Sequence, residues 1–233
     1  MRQILVIAGN VNYHRLFSFI GKVDTNVNNF YRNPSEFDLV VFTGGEDVHP
    51  DFYSGIHTGI SQVNMDRDRF EKRIFDVCLE ENVKMTGICR GFQFINVMSG
   101  GFMYQHIERH AMHGVHTVRF PYVKEVYNLT STHHQLVGLP TNAMMIGYAY
   151  PRRSDIYIGP DSQRTRKPEL EIESAVFPHT SCMGVQFHPE MIGNDPKGVK
   201  FYLKMMEDFM NLEVEEFSNN YGGEIKWQSQ STR

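Results

Sequence analysis

Apolar residues in the first part of the chain gather into short runs that end in small or turn-forming residues: "ILVIA" at 4–8, "LVVFTGG" at 39–45 and "VKMTGI" at 83–88. Runs of this length without regular polar alternation read as strands buried on both faces of a parallel sheet. Between the last two, Phe70, Ile74, Val77 and Cys78 fall at the spacing of one helix face. Strand, helix, strand in that order is a βαβ unit, and it predicts an α/β, doubly wound sheet flanked by helices.

The second half changes pattern. "GVHTVRF", "VKEVYNL", "AMMIGYAY", "DIYIG" and "ESAVFP" are β-rich and partly alternating, as in antiparallel or edge strands, and "CMGVQF" at 182–187 reads as a buried strand again. The expected sheet is therefore mostly parallel with a small antiparallel portion. From about Asp195, the spacing of Val199, Leu203, Met206 and Met210 predicts a closing amphipathic helix, with Pro196 tolerated in its first turn. One domain is expected over residues 1–212, followed by a polar tail over 213–233. The segments 106–116, rich in histidine, and 159–171, rich in turn formers and charge, read as surface insertions.

Composition narrows the function classes. A chain of 233 residues with 41% hydrophobic residues, 21% charged residues and a formal charge of −4 suits one large soluble domain. No block of lysine and arginine offers a phosphate-binding groove, so a nucleic-acid partner is not expected. The opening apolar run, Ile4 to Ala8, is too short for a signal-peptide core or a bilayer span, which predicts a cytoplasmic protein with no membrane partner. Cys78, Cys89 and Cys182 have no paired spacing that would suggest a disulfide framework or a metal knuckle.

The chemistry centres on "TGICRGFQFIN", residues 86–96. Gly-x-Cys-x-Gly between a buried strand and a helix has the layout of a nucleophile elbow, in which Gly87 and Gly91 allow the tight turn. The turn sets Cys89 at a helix N-terminus, which favours the thiolate, and the Arg90 amide then becomes an oxyanion donor. "TGG" at 43–45 ends a neighbouring strand and could supply a second amide. "GVQFHPE" offers His188 as base and Glu190, two residues on, to orient it. Alone, each motif reads more simply, the first as a tight turn over a buried thiol and the second as a turn; their joint occurrence favours catalysis.

These motifs resemble a class I glutamine amidotransferase domain of flavodoxin-like architecture. "TGGEDVHPDFY", "DRDRFE", "GICRGFQFINVMSGGFMYQHI" and "STHHQLV" make the chain most similar within that superfamily to the γ-glutamyl-γ-aminobutyrate hydrolase-like cysteine peptidases. The resemblance, over roughly residues 1–210, implies Cys89 as nucleophile, His188 as base, Glu190 as third member, and Gly45 with Arg90 as oxyanion donors. It implies Gln93, Ser131 and His133 as contacts to a glutamyl group. Relatives commonly carry Asn-Ser before the paired histidines, where this chain has Thr130 and Ser131.

No metal or organic cofactor is required by such chemistry, and the substrate is a small γ-glutamyl amide or glutamine. Two enzymatic readings stay open: a stand-alone γ-glutamyl hydrolase, or a glutaminase subunit supplying ammonia to a separate synthase. A non-catalytic binding module is a third reading, and a homodimer is also left open. His106, His110 and His113 would share a face if their segment were helical, but the pattern is not His-Glu-x-x-His, and a polar loop over the active site is the preferred reading. Cys78 and Cys182 are read as core residues, and His134 as a satisfied neighbour of His133.

Overall fold

A computed structural model describes residues 1–57, 59, 62–112, 114–191 and 196–223. In the first half, strands β1 (Gln3–Ile7), β2 (Lys22–Asp24), β3 (Leu39–Phe42) and β4 (Lys84–Ile88) alternate with helices α1 (Val11–Phe17), α2 (Val27–Arg32), α3 (Met65–Glu80) and α4 (Arg90–Met98). The second half carries β5 (Phe102–Tyr104), β6 (His106–Ile107), β7 (Val115–Phe120), β8 (Glu125–Thr130), β9 (Leu136–Gly138) and β10 (Met144–Ala149). It continues through β11 (Tyr157–Ile158), β12 (Ile172–Phe177) and β13 (Cys182–Val185) to α5 (Pro196–Asn211) and α6 (Val214–Tyr221).

One 9-stranded sheet runs β2-β1-β3-β4-β13-β12-β10-β7-β8. Pairing is parallel from β2 to β13 and antiparallel from β13 to β8. The antiparallel portion is continuous with the parallel one, and β6-β11 and β5-β9 form two small ribbons beside it. Burial on both faces explains the uninterrupted apolar runs. Along β1, Leu5 and Ile7 join the core on one side of the sheet while Ile4 and Val6 join the other; along β3, Val40 and Phe42 divide from Leu39 and Val41 in the same way.

Ile74 and Cys78 are fully buried on α3, as their spacing predicts. On α5 the fully buried positions are Tyr202, Met205, Met206 and Phe209, with Val199, Leu203 and Met210 flanking them. Regular structure continues past the expected boundary at 212. Residues 214–221 form α6, Phe217 and Tyr221 pack against the α5 side of the core, and Gly223 bridges to Met145. Three aromatic or apolar positions, Val214, Phe217 and Tyr221, recur at helical spacing within an otherwise polar segment and drive that packing. Residues 224–233 of the expected tail lie outside the described residues. No helix among the described residues is long and apolar enough to cross a membrane.

The histidine-rich segment does not begin as a helix: His106 lies in β6, paired with β11, and His110 follows in a turn. The shared helix face expected of His106, His110 and His113 therefore does not form between the first two, and His113 lies outside the described residues.

Candidate active site

The carboxyl ends of β3, β4 and β13 meet at one corner, and the expected site residues come from the turns that leave them. At the end of β4, Cys89 takes φ 53° and ψ −109°, a backbone geometry that L side chains disfavour. The flanking glycines make this corner sterically feasible: a Cβ on Gly87 would overlap the Gly91 carbonyl, and one on Gly91 would overlap the carbonyl of Phe42. α4 is thereby pressed against β3 and β4, and Arg90, its first residue, has an amide with no intrahelical acceptor.

His188 follows β13. Its Nδ1 lies 2.6 Å from Glu190 Oε1, and the ring lines the same cleft as Cys89. Burial pushes the imidazolium down, but the neighbouring Cys89 and Glu190 outweigh it and hold His188 up to about 10. The Thr130 hydroxyl accepts from the His188 amide at 2.7 Å, so the residue that departs from the relatives' asparagine still anchors the histidine backbone.

The loop after β3 supplies the opposite wall. Gly45 takes φ 146°, open to glycine, and a Cβ there would strike the Arg67 guanidinium. Gly44 lies against the His188 ring and the Cys89 Cβ, and its amide donates to the Tyr13 hydroxyl at 3.1 Å. Burial first, then the Glu190 carboxylate, push the Tyr13 phenol far up. A residue of α1 thus holds the glycine loop beside the carboxylate behind His188. Sequence inspection missed it, because α1 is too short and weakly periodic to be read as a helix.

A second support is ionic and buried. Arg90 pairs with Asp68 and Glu71 of α3, all with side chains 2% exposed or less. Glu71 also accepts from Arg67 Nε at 2.8 Å, and Arg67 donates to the Thr43 and Gly44 carbonyls at 3.1 Å each. Asp68 accepts from the His49 amide at 2.8 Å. "DRDRFE" therefore braces the glycine loop and the elbow from below, a role its charged pattern did not disclose.

Gly45, Cys89, Arg90, Gln93, Thr132, His133, His134 and His188 line one cleft of about 270 Å³. Gln93 is buried and reaches Gln186 Oε1 at 3.3 Å. Ser131 is also buried, its amide held by the Gly114 carbonyl at 2.9 Å. His133, expected against substrate, borders the cleft; its Nδ1 is hydrogen-bonded to the Gln135 carbonyl at 2.8 Å, and its Nε2, 3.4 Å from Glu173 Oε1, has no hydrogen-bond partner. His134, expected to be a bystander, is the half-exposed one, with Nε2 3.1 Å from Asp47 Oδ2. Gly45, Asp47 and His134 also line an adjoining cavity of about 450 Å³ with Glu46, Gln62 and His106.

Comparisons with known proteins agree with this architecture. NtpR of Enterococcus hirae is 26% identical over 177 residues, 67% of this chain and 68% of that protein. The γ-glutamyl-CDP-amidate hydrolase of Campylobacter jejuni is 34% identical over 90 residues, 38% of this chain and 40% of that one. A GMP synthase-type protein of Thermoplasma acidophilum superposes with a TM-score of 0.60 at 16% identity, covering 93% of this chain and 96% of its own. A Thermotoga maritima glutamine amidotransferase gives 0.52 at 16% identity, with 94% and 91% covered. At such identity the likeness is one of fold. The peptidase C26 family model matches residues 20–147, more than half of the chain and inclusive of the elbow. The chain accordingly belongs to the peptidase C26 family, within the class I glutamine amidotransferase-like superfamily, and is a cysteine-type amide hydrolase.

Proposed function

We propose that this protein hydrolyses γ-glutamyl amide bonds through a γ-glutamyl thioester on Cys89. The observation that carries the reading is the placement of the His188 imidazole, which lines one cleft with the Cys89 elbow and lies 2.6 Å from the Glu190 carboxylate on its other side. The Cys89 thiolate attacks the amide carbonyl, and the Gly45 and Arg90 amides receive the developing oxyanion. The C–N bond breaks as His188 gives its proton to the leaving amine. His188 then takes a proton from water, the hydroxide attacks the thioester, and glutamate leaves with the thiolate restored. Glu190 keeps the ring oriented and supports its charge throughout. Gln93, in the cleft lining, is suited to the glutamyl group, and the buried Ser131 supports the loop that carries Thr132 and His133 into the same cleft.

The adjoining cavity supports a leaving group larger than ammonia. Its walls include the Glu46 and Asp47 carboxylates, which a positively charged amine would share with Arg67 and His134. Turnover of glutamine and of neutral, cationic and anionic γ-glutamyl amides by the isolated protein tests this. kcat/KM for the cationic amide is expected to exceed that for glutamine by about tenfold, the worth of one modest charge contact. Preference for glutamine, or activity only with an added synthase, would favour the glutaminase reading.

The working form pairs a thiolate with a protonated His188, so activity is present below the raised histidine value and falls as pH climbs through about 10. Glu190→Gln removes one of the groups that raise it. Its alkaline limb is therefore expected at lower pH, readable in kcat/KM profiles of the two proteins; an unmoved limb would mean that Glu190 does not support the imidazolium.

A further inference from the structure

Behind the cleft lies a fully buried cluster that the proposed hydrolysis does not use. His110 Nε2 and His116 Nε2 each lie 3.0 Å from Glu173 Oε1, and His133 Nε2 lies 3.4 Å from the same oxygen. The nearest ligand atoms of His110, His116 and Glu173 all fall within 4.8 Å of one another. We propose that His110, His116, His133 and Glu173 form a closed, tetrahedral site for a divalent transition metal, zinc first, that ties the loop beneath the substrate cleft to the sheet.

Hydrogen bonding among these groups leaves the cluster unsatisfied. His116 Nδ1 and Nε2, His133 Nε2 and Glu173 Oε2 are buried without a hydrogen-bond partner. His116 and His133 approach Glu173 closely, yet their Nε2 atoms are not directed along hydrogen bonds to it, as expected if lone pairs point at a shared centre. In a tetrahedral zinc site with bonds of about 2.0–2.1 Å, neighbouring ligand atoms stand about 3.3–3.4 Å apart, close to the separations from Glu173.

Tautomers supply the independent argument. His133 Nδ1 faces the Gln135 carbonyl at 2.8 Å, an acceptor only, so Nδ1 carries the proton and Nε2 the lone pair. His110 Nε2 is hydrogen-bonded to Glu173 Oε1 at 3.0 Å, while its Nδ1, 3.4 Å from Glu171 Oε2, has no hydrogen-bond partner. Glu171 is itself held by the Arg153 and Ser154 amides and the Tyr157 hydroxyl. With a cation bound, the His110 proton would sit on Nδ1 against Glu171, because neutral imidazoles braced at Nδ1 by carbonyl or carboxylate are the usual metal-binding arrangement.

The four ligands come from the β6–β7 turn, β7, the β8–β9 loop and β12. Thr132 and His134, either side of His133, line the cleft. A metal at this position would fix the cleft's rear wall without touching the reacting carbonyl.

The full chain, purified without a polyhistidine tag, is expected to carry about one zinc per molecule, and chelator-stripped protein to recover the same stoichiometry. Cobalt(II) in its place should give the strong visible absorption of a tetrahedral ion. His116→Ala should abolish stoichiometric binding, whereas Glu171→Gln, which removes only a brace, should weaken zinc about 10–100-fold. His106→Ala should leave the zinc stoichiometry unchanged. A folded wild-type chain that binds less than about a tenth of an equivalent of zinc or cobalt at micromolar free metal would overturn the proposal. Wild-type stoichiometry and the cobalt spectrum decide it even where His116→Ala fails to fold. The outcome is independent of any reaction at Cys89.

Discussion

Cys89→Ser is expected to lower kcat/KM toward γ-glutamyl amides by about 10⁴-fold or more, because a hydroxyl ionises far less readily than the thiol it replaces. Stability should change by less than about 1 kcal/mol, since the side chain is nearly isosteric and borders the cleft. The same substitution gives a chemical readout. A glutamine-mimicking electrophile should add once to the native chain and not to the variant. The other thiols make a clean control: burial pushes Cys78 well up and Cys182 up to about 12, and both are closed to solvent. Persistent labelling of the variant would move the nucleophile elsewhere, and a native chain that takes no label would revive the binding-module reading.

The second large effect is expected far from the sulfur. Glu71→Gln leaves Arg90 and Arg67 with one carboxylate fewer inside the protein, and breaking a buried pair this way costs about 3–5 kcal/mol. Chemical denaturation of the full chain measures it. Lys72→Ala, which removes an exposed pair with Asp76 from the neighbouring position of the same helix, should cost less than about 1 kcal/mol. Because Arg67 holds the Thr43 and Gly44 carbonyls, the Glu71→Gln variant's kcat should fall at temperatures where it remains folded. Equal stability of the two variants would mean that the network contributes no more than surface charge.

How far the sequence disclosed this depended on whether a residue's role was local. β1, β3, β4 and β13 were legible because strands buried on both faces leave uninterrupted apolar runs. The elbow was legible because its turn needs glycine at fixed offsets. α1 and α2 escaped notice although Asn10 and Asn26 cap them, each accepting an amide hydrogen bond two residues on; both helices are short and weakly periodic. α6 was hidden by the polar residues around Phe217 and Tyr221. Tyr13, Arg67 and the histidine cluster depend on partners far along the chain, as with His110 and Glu173, and nothing in local spacing could reveal which imidazoles would face one carboxylate. The helical spacing of His106, His110 and His113 suggested a different trio.

The backbone at residue 89 has an evolutionary corollary. A non-glycine side chain at φ 53° and ψ −109° carries a conformational cost of about 1–3 kcal/mol, borne for as long as the sulfur is needed there. A lineage that abandoned the reaction would be freed to place glycine at the corner and keep the scaffold intact. Among descendants of this scaffold, the identity of that single residue would then separate working catalysts from retired ones.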